Sequence, residues 1–408
     1  MNVTLGAFFR RREEFRRRAR LAERAVRIIL SRVRKEGDAA VLRYTERWDI
    51  ASLKTLRVTD DEFESARASI STQERLILET VIDRLQKFYE SQKMRAAPRV
   101  DATGLYAERV APIERVGLYV PGGKAPLLST LLMLAVPAKV AGVPERYVAT
   151  PPRPDGRIPA ILAEAARLTG VTAVFKMGGA QSMAAFAYGT RSVPQVDKIF
   201  GPGNVYVTAA KRLLYGDVGI DMLAGPSELA VIADNSVSAD FVTEDLLAQA
   251  EHGPDSLSLL LTTSPKLGGQ VKKRIDKSDE EIRRQIYIVI MKSLESCAAV
   301  AAELAPEHLA LCVSEPEKLL SAVGPAGAIF LGTSCVAYGD YIAGPNHTLP
   351  TAGTARLFSP LSIESFCRRS SILQVRDPDG ELARLGSILA EWEGLPHHSR
   401  SLRLRAEK

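Results

Sequence analysis

Five histidines, His252, His308, His347, His397 and His398, carry most of the chemistry this 408-residue sequence can offer. Each has polar company nearby in the chain. His252 follows Gln249 by three residues, where Gly253-Pro254 stops a helix, so both project from one helix face. Glu307 directly precedes His308 at the start of the apolar run LALCVS (309–314). His347 lies in GDYIAGPNHTLPT (339–351) with Asp340, and His397 and His398 sit beside Glu393. Imidazole, carboxylate and amide oxygen suit zinc or a similar divalent ion, although the spacing matches neither a zinc finger nor an HExxH helix. Glu307-His308 has a logic of its own. At a strand end adjacent side chains can reach one cavity, where His supplies a base near neutral pH and Glu can activate water. A surface pair would show the same spacing.

Parallel α/β layers are the elements expected to position these residues. Short apolar runs, several of them ending in Gly or Pro, alternate with helical segments: VGLYVPGG (116–123), AVFKMGG (173–179), KIFGPG (198–203), LAVIAD (229–234), LSLLLTT (257–263), IYIVIM (286–291), LALCVS and AIFLG (328–332). Ligands of such sheets sit at the carboxyl ends of the strands, where these glycines lie. GPGN (201–204) begins like a dinucleotide fingerprint but has Tyr206 at the third glycine position. GLYVPGGKA (117–125) resembles a phosphate loop but ends in Ala125, which cannot hold magnesium. Three glycine loops in succession point to a non-standard dinucleotide crevice. Ahead of the layers, 8–36 reads as an amphipathic helix with Leu21, Ala25, Ile28, Ile29 and Val33 on its apolar face. Helices are also expected over 39–48 and 60–93.

Composition narrows the class. With 46% hydrophobic and 25% charged residues the chain is globular, and its length fits two or three domains. The net charge of +6 would suit a nucleic-acid partner, but residues 1–35 hold twelve Arg or Lys against three Glu, which leaves the other 373 residues at −3. The basicity is local, so neither nucleic acid nor membrane is expected as a partner. Four cysteines without CxxC spacing suit a reduced, cytoplasmic setting. No apolar run reaches the roughly 18 residues of a membrane span.

Taken together, GGAQSMAAFAYGT (178–190), VDKIFGPGNVYVTAAK (196–211), IDMLAGPSELAVIAD (220–234), LLAQAEHGPDS (246–256), APEHLAL (305–311) and GDYIAGPNHTLPT closely resemble the histidinol dehydrogenase family, as does the stretch 116–143. The resemblance runs from about Ala25 to Arg403. It implies oxidation of L-histidinol to L-histidine through histidinal, using one zinc per subunit and two NAD+, as the last step of histidine biosynthesis. The implied fold is α/β: two incomplete Rossmann-like, aldehyde-dehydrogenase-like parallel-sheet domains with small helical terminal segments, in an intertwined homodimer. Expected boundaries are an N-terminal helical segment at 1–16, a discontinuous catalytic domain at 17–115 and 228–361, an NAD-binding domain at 116–227, and a tail at 362–408 that contacts the partner subunit.

Carried over by motif, the zinc ligands are Gln249, His252, Asp340 and His398, the last entering the other subunit's site. His398 is preferred to His397 because Ser399-Arg400-Ser401 keeps the family's register. Glu307 and His308 match the catalytic pair. Ser227, His347 and Glu393 fall on substrate-contacting positions, and Tyr119, Gln181 and Asn204 on NAD-contacting ones. Val336 stands where the family commonly has an acidic residue. The segment between His252 and His308 is also shorter than usual. A related enzyme acting on another amino alcohol or diol would share this machinery; Glu393, as a partner for the substrate amine, favours histidinol. Aldehyde oxidation often uses a thiolate, and Cys335 lies five residues before Asp340. A glutamate-and-water route needs none. Cys335→Ser is therefore expected to keep most of the histidinol-dependent NADH formation, and complete loss would reopen a thiohemiacetal route.

Overall fold

A computed structural model describes residues 3–93, 98–101, 103–122, 127–377 and 380–406; Gly123, Lys124 and Ala125 of the phosphate-loop-like stretch lie outside the described residues. Four helices open the chain: α1 (Val3–Glu36), α2 (Asp38–Asp49), α3 (Asp60–Ser69) and α4 (Thr72–Ser91). Strands β1 (Arg99–Asp101) and β2 (Gly104–Pro112) follow. The first α/β layer holds β3 (Arg115–Tyr119), α5 (Leu128–Val140), β4 (Glu145–Thr150), α6 (Ala160–Thr169), β5 (Ala173–Lys176), α7 (Gly179–Tyr188), β6 (Lys198–Phe200), α8 (Val205–Leu214) and β7 (Gly219–Ile220). The second opens with β8 (Glu228–Ala233), α9 (Ala239–Ala250), β9 (Leu257–Thr262), α10 (Pro265–Ile275), α11 (Glu280–Arg283) and β10 (Ile286–Ile290). It continues through α12 (Leu294–Leu304), β11 (His308–Cys312), α13 (Pro316–Leu320), β12 (Ala328–Leu331) and α14 (Val336–Tyr341). The last elements are β13 (Cys367–Val375), α15 (Glu381–Trp392) and α16 (Pro396–Ala406).

Both layers are five-stranded and wholly parallel, ordered β5-β4-β3-β6-β7 and β10-β9-β8-β11-β12. Each order reverses direction beside its first strand, between β3 and β6 and between β8 and β11. Strands buried on both faces explain the unbroken apolar runs: every residue of β8, β9 and β11 is buried. The expected helix over 60–93 is two helices. Ile70 is extended, and Ser71 restarts the helix with a capping box to Glu74.

Helix α1 buries a different face from the expected one. Ile29 and Val33 are buried, but Ala25 is exposed and Leu21 and Ile28 are 70% and 53% exposed. The buried stripe is Phe8, Arg12, Phe15, Ala19, Ala22, Val26, Ile29 and Val33, alternating steps of four and three. Small Ala19 and Ala22 let the helix approach α7 and α8, whose facing residues include Ala184, Ala185, Ala209 and Ala210. The amino-terminal turns pack Leu5 and Phe8 into the core of the second layer, and Ala22 to Val33 join the core of the first. One helix spans both cores.

The chain divides into two units, residues 1–92 with 113–366 and residues 93–112 with 367–408. Helix α1 runs unbroken across residues 16 and 17. In the second unit β2 pairs antiparallel with β1 and with the full length of β13, and α15 packs on α16. Its strands come from chain segments more than 250 residues apart, so its sheet has no local sequence signal.

The glycine loop after β6 is fixed by a buried ion pair. Gly201 has φ +117° and lies so near β3 that a Cβ would come 2.1 Å from the Tyr119 carbonyl oxygen. Asp221 accepts from Gly201 N at 2.7 Å and from Lys211 Nζ at 2.6 Å, and the two side chains are 1% and 2% exposed. Asp221→Ala would leave a buried, unpaired ammonium, so we expect a loss of about 3–5 kcal/mol in urea unfolding. The pair Lys211→Met with Asp221→Leu is expected to recover most of it.

Candidate active site

Glu228 opens β8, and the parallel register of β8 with β11 sets His308 opposite Leu229. Glu307 therefore enters the sheet beside Glu228. Glu307 Oε2 accepts from Ser227 Oγ at 2.6 Å and from Glu228 N at 2.7 Å. His308 Nδ1 lies 3.2 Å from the Glu228 carbonyl oxygen, which can only accept. The imidazole proton is thus on Nδ1, and Nε2 carries the lone pair, 3.7 Å from Asp340 Oδ1. Glu307 Oε2 and His308 Nδ1 are 3.6 Å apart, so the adjacent side chains do converge. Both residues are buried.

Burial drives the two groups in opposite directions. Desolvation pushes Glu307 up to about 8 against the lowering effect of the Ser227 and Glu228 hydrogen bonds. Desolvation also brings His308 down to about 3. The result is a neutral imidazole with a free lone pair beside a carboxyl that holds its proton near neutrality.

Asp340 sits in α14, which packs against α9, the helix that carries Gln249. His347 Nδ1 donates to the Asp340 carbonyl at 3.1 Å, and its Nε2 lies 3.3 Å from Thr130 Oγ1. Desolvation of the ring lowers His347 to about 4. His252, just beyond α9, has Nδ1 3.3 Å from the Ala248 carbonyl, which leaves its Nε2 free. It lies close enough to Asp340, His308 and His347 to influence each of them electrostatically.

These residues fit a divalent cation. Burial raises Asp340 to about 6, and a cation would offset that desolvation. The His252 tautomer is fixed by a carbonyl, as in metal-bound imidazoles. Gln249 is 3% exposed and its Nε2 has no partner, so a flipped amide would present an unpartnered oxygen. Among the described residues no three His, Cys, Asp or Glu stand together as a ligand group. The expected set is of another kind, since it draws on a glutamine and on His398 of the second unit. There Glu393 caps α15, and His397 and His398 lie exposed in the first turn of α16.

The expected cofactor residues gather around the first layer's reversal point. Tyr119 ends β3, and its hydroxyl accepts from Gly179 N at the start of α7, 3.1 Å away. Its buried phenol is pushed up to about 12. Gln181, 1% exposed, lies in the first turn of α7 with Oε1 unpartnered. Asn204 caps α8 by accepting from Tyr206 N and Val207 N at 3.0 and 3.2 Å. Two helix starts there favour an anion such as a pyrophosphate.

The second layer departs from the carboxyl-end expectation. Glu307 and His308 lie at the amino ends of β11 and β8, while Asp234, just past β8, accepts from Ser236 N and Ser314 N and closes the carboxyl end. Val336 packs with Leu229, Val231 and Leu246, so an apolar contact fills the position where a carboxylate was expected. Burial raises the thiols of Cys297 and Cys312 to about 11 and 12, which removes them as nucleophiles. Sequence reasoning missed Thr130 and Glu228. Thr130 gave no signal, but a Glu leading a wholly apolar strand could have been flagged.

Comparison with known proteins agrees with this geometry. The family model described as histidinol dehydrogenase matches residues 11–406. The histidinol dehydrogenase of Geobacter sulfurreducens is 45% identical over 404 residues, covering 95% of this chain and 94% of that relative. That of Thermus thermophilus is 46% identical over 394 residues, with 94% of each chain covered. The crystal structure of the Elizabethkingia anophelis histidinol dehydrogenase superposes with a TM-score of 0.90 at 36% identity, covering 94% of this chain and 92% of that one. A structure described as an aldehyde dehydrogenase from Anabaena variabilis shares the fold alone, with a TM-score of 0.50 at 13% identity, covering 89% of this chain and 94% of that one. Its two parallel layers and its match over almost the full length of these relatives place the chain in the histidinol dehydrogenase family.

Proposed function

We propose that the chain oxidises L-histidinol to L-histidine by way of histidinal, consuming two NAD+, at the end of histidine biosynthesis. The observation that carries this reading is the buried pair of a neutral His308 and a proton-holding Glu307, which divides two kinds of proton transfer between two groups. His308 Nε2 takes the hydroxyl proton as the alcohol carbon gives up hydride to the first NAD+. Glu307, once ionised, takes a proton from the water that adds to the aldehyde. His308 returns its proton to the carbonyl oxygen as the water adds, and is then free to take a hydroxyl proton of the hydrate as the second hydride leaves. Tyr119, Gln181 and Asn204 line the nucleotide site, and Ser227, His347 and Glu393 meet the substrate.

Gln249, His252 and Asp340 would hold a zinc ion, with His398 supplied by the tail of a second copy. When bound, the metal anchors the imidazole and amine of histidinol and so fixes the reacting carbon. An intertwined homodimer is supported by the apolar face left open on α15, where Leu385, Leu389 and Trp392 are 45%, 56% and 79% exposed.

NADH release from histidinol, set against simple diols, tests the substrate, and chelation is expected to abolish it. Turnover with diols alone would favour the related enzyme on another alcohol. Glu307 works as a base only when ionised, so histidinal oxidation is expected to rise as pH climbs through about 8, while His308 stays neutral throughout. Glu307→Gln should cut histidinal oxidation by about 10²–10⁴-fold, remove that rise and spare more of the alcohol step. Equal loss of both steps would reject this assignment of Glu307.

A further inference from the structure

Glu228 has both its side chain and its main chain committed. Its Oε1 accepts from Arg12 Nε at 2.6 Å, and its Oε2 accepts from Arg12 Nη2 at 3.0 Å and from Ala352 N at 3.1 Å. Arg12 Nη2 also donates to the carbonyl of Leu304, the last residue of α12 and three residues before Glu307, at 3.0 Å. The two side chains are 7% and 1% exposed. Room for the guanidinium comes from Gly353, at φ +79°, where a Cβ would stand 3.2 Å from Nη2. The peptide groups of the same Glu228 hold Glu307 and His308.

An arginine in the buried stripe of a helix is expensive, because desolvating both charges offsets much of their attraction. A methionine at position 12 would pack there without that cost. What the ion pair adds is direction: a planar fork gripping a carboxylate at two points fixes place and orientation together. Arg12 grips the residue whose peptide carries the catalytic side chains, and also the helix end that leads into Glu307. The geometry points to Arg12–Glu228 as a positioning pair, by which helix α1 holds Glu307 and His308 in their working arrangement. Neither residue touches the reacting atoms. The inference rests on the reading that Glu307 and His308 perform the proton transfers.

The test uses full-length enzyme carrying Arg12→Met, Arg12→Lys, or Arg12→Met with Glu228→Leu. The single Met change strands a buried carboxylate and can impair folding; the double change removes both charges and is expected to keep the unfolding temperature near that of the parent. A positioning role predicts that kcat in the double variant falls at least about tenfold, with KM for histidinol and NAD+ and metal content unchanged. Arg12→Lys, which keeps the charge but not the fork, should recover part of the rate. A double variant with parental kcat, or a loss confined to KM, would overturn the proposal. A second readout is independent of turnover. In histidine-labelled protein the ¹⁵N resonance of His308 Nδ1 should shift in the double variant as its bond to the Glu228 carbonyl changes, and an unmoved resonance would also overturn it. If the parent does not oxidise histidinol but the resonance moves, the functional reading fails and the positioning role stands.

Discussion

The layer that holds Glu307 and His308 depends on the parallel pairing of β8 with β11. Their register places His308 beside Leu229 and so brings Glu307 level with Glu228, whose peptide N–H and C=O then each meet one of these two side chains. A parallel pair offers one such peptide at its entry, and a slip by one residue would present the wrong face of β11. Burial of every residue in both strands makes that slip costly, because it would drive side chains out of well-filled positions on both faces. Register, not loop conformation, defines the geometry of Glu307 and His308.

The same burial that fixes register also sets the chemistry. Removing water disfavours charge on both groups, which for a carboxylic acid means a raised pKa and for an imidazole a lowered one. One physical cause thus yields two roles. The hydrogen bonds from Ser227 and Glu228 to Glu307 oppose the shift without cancelling it, so Glu307 remains able to ionise in a mildly basic range. A more open site would return both groups towards their ordinary values and blur the distinction.

Much of this was legible in the sequence. All eight of the short apolar runs are strands, because buried parallel strands need continuous apolar stretches. The convergence of Glu307 and His308 was one of two readings that their place at a strand start allowed, the other being a surface pair, and burial decides between them. The face of α1 was not, because Leu21 and Ile28 are larger than Ala19 and Ala22, yet close helix approach rewards the smaller residues. The break at Ile70 was hidden inside a helix-forming stretch until the Ser71–Glu74 capping box is considered. The pairing of β2 with β13 joins distant segments, and no local pattern encodes that. Glu228 went unflagged because its contacts to Glu307 and His308 run through its main chain, which every residue type shares, and only its place ahead of a wholly apolar strand hinted at it.

The two layers have the same strand order but offer opposite ends to chemistry, and backbone polarity accounts for the difference. The amino end of a parallel strand presents N–H groups and the carboxyl end presents C=O groups. A carboxylate such as Glu307 is stabilised by the former and repelled by the latter, so it belongs at an amino end, where Glu228 N meets it. In the first layer the strands' carboxyl ends are also the starts of α7 and α8, whose N–H groups and dipoles favour negative charge. An anionic dinucleotide therefore suits that end. In both layers the end that suits negative charge is the one where peptide N–H groups converge. Helix α1, rooted in both cores, ties the sheet whose helix starts suit an anion to the sheet that carries Glu307 and His308.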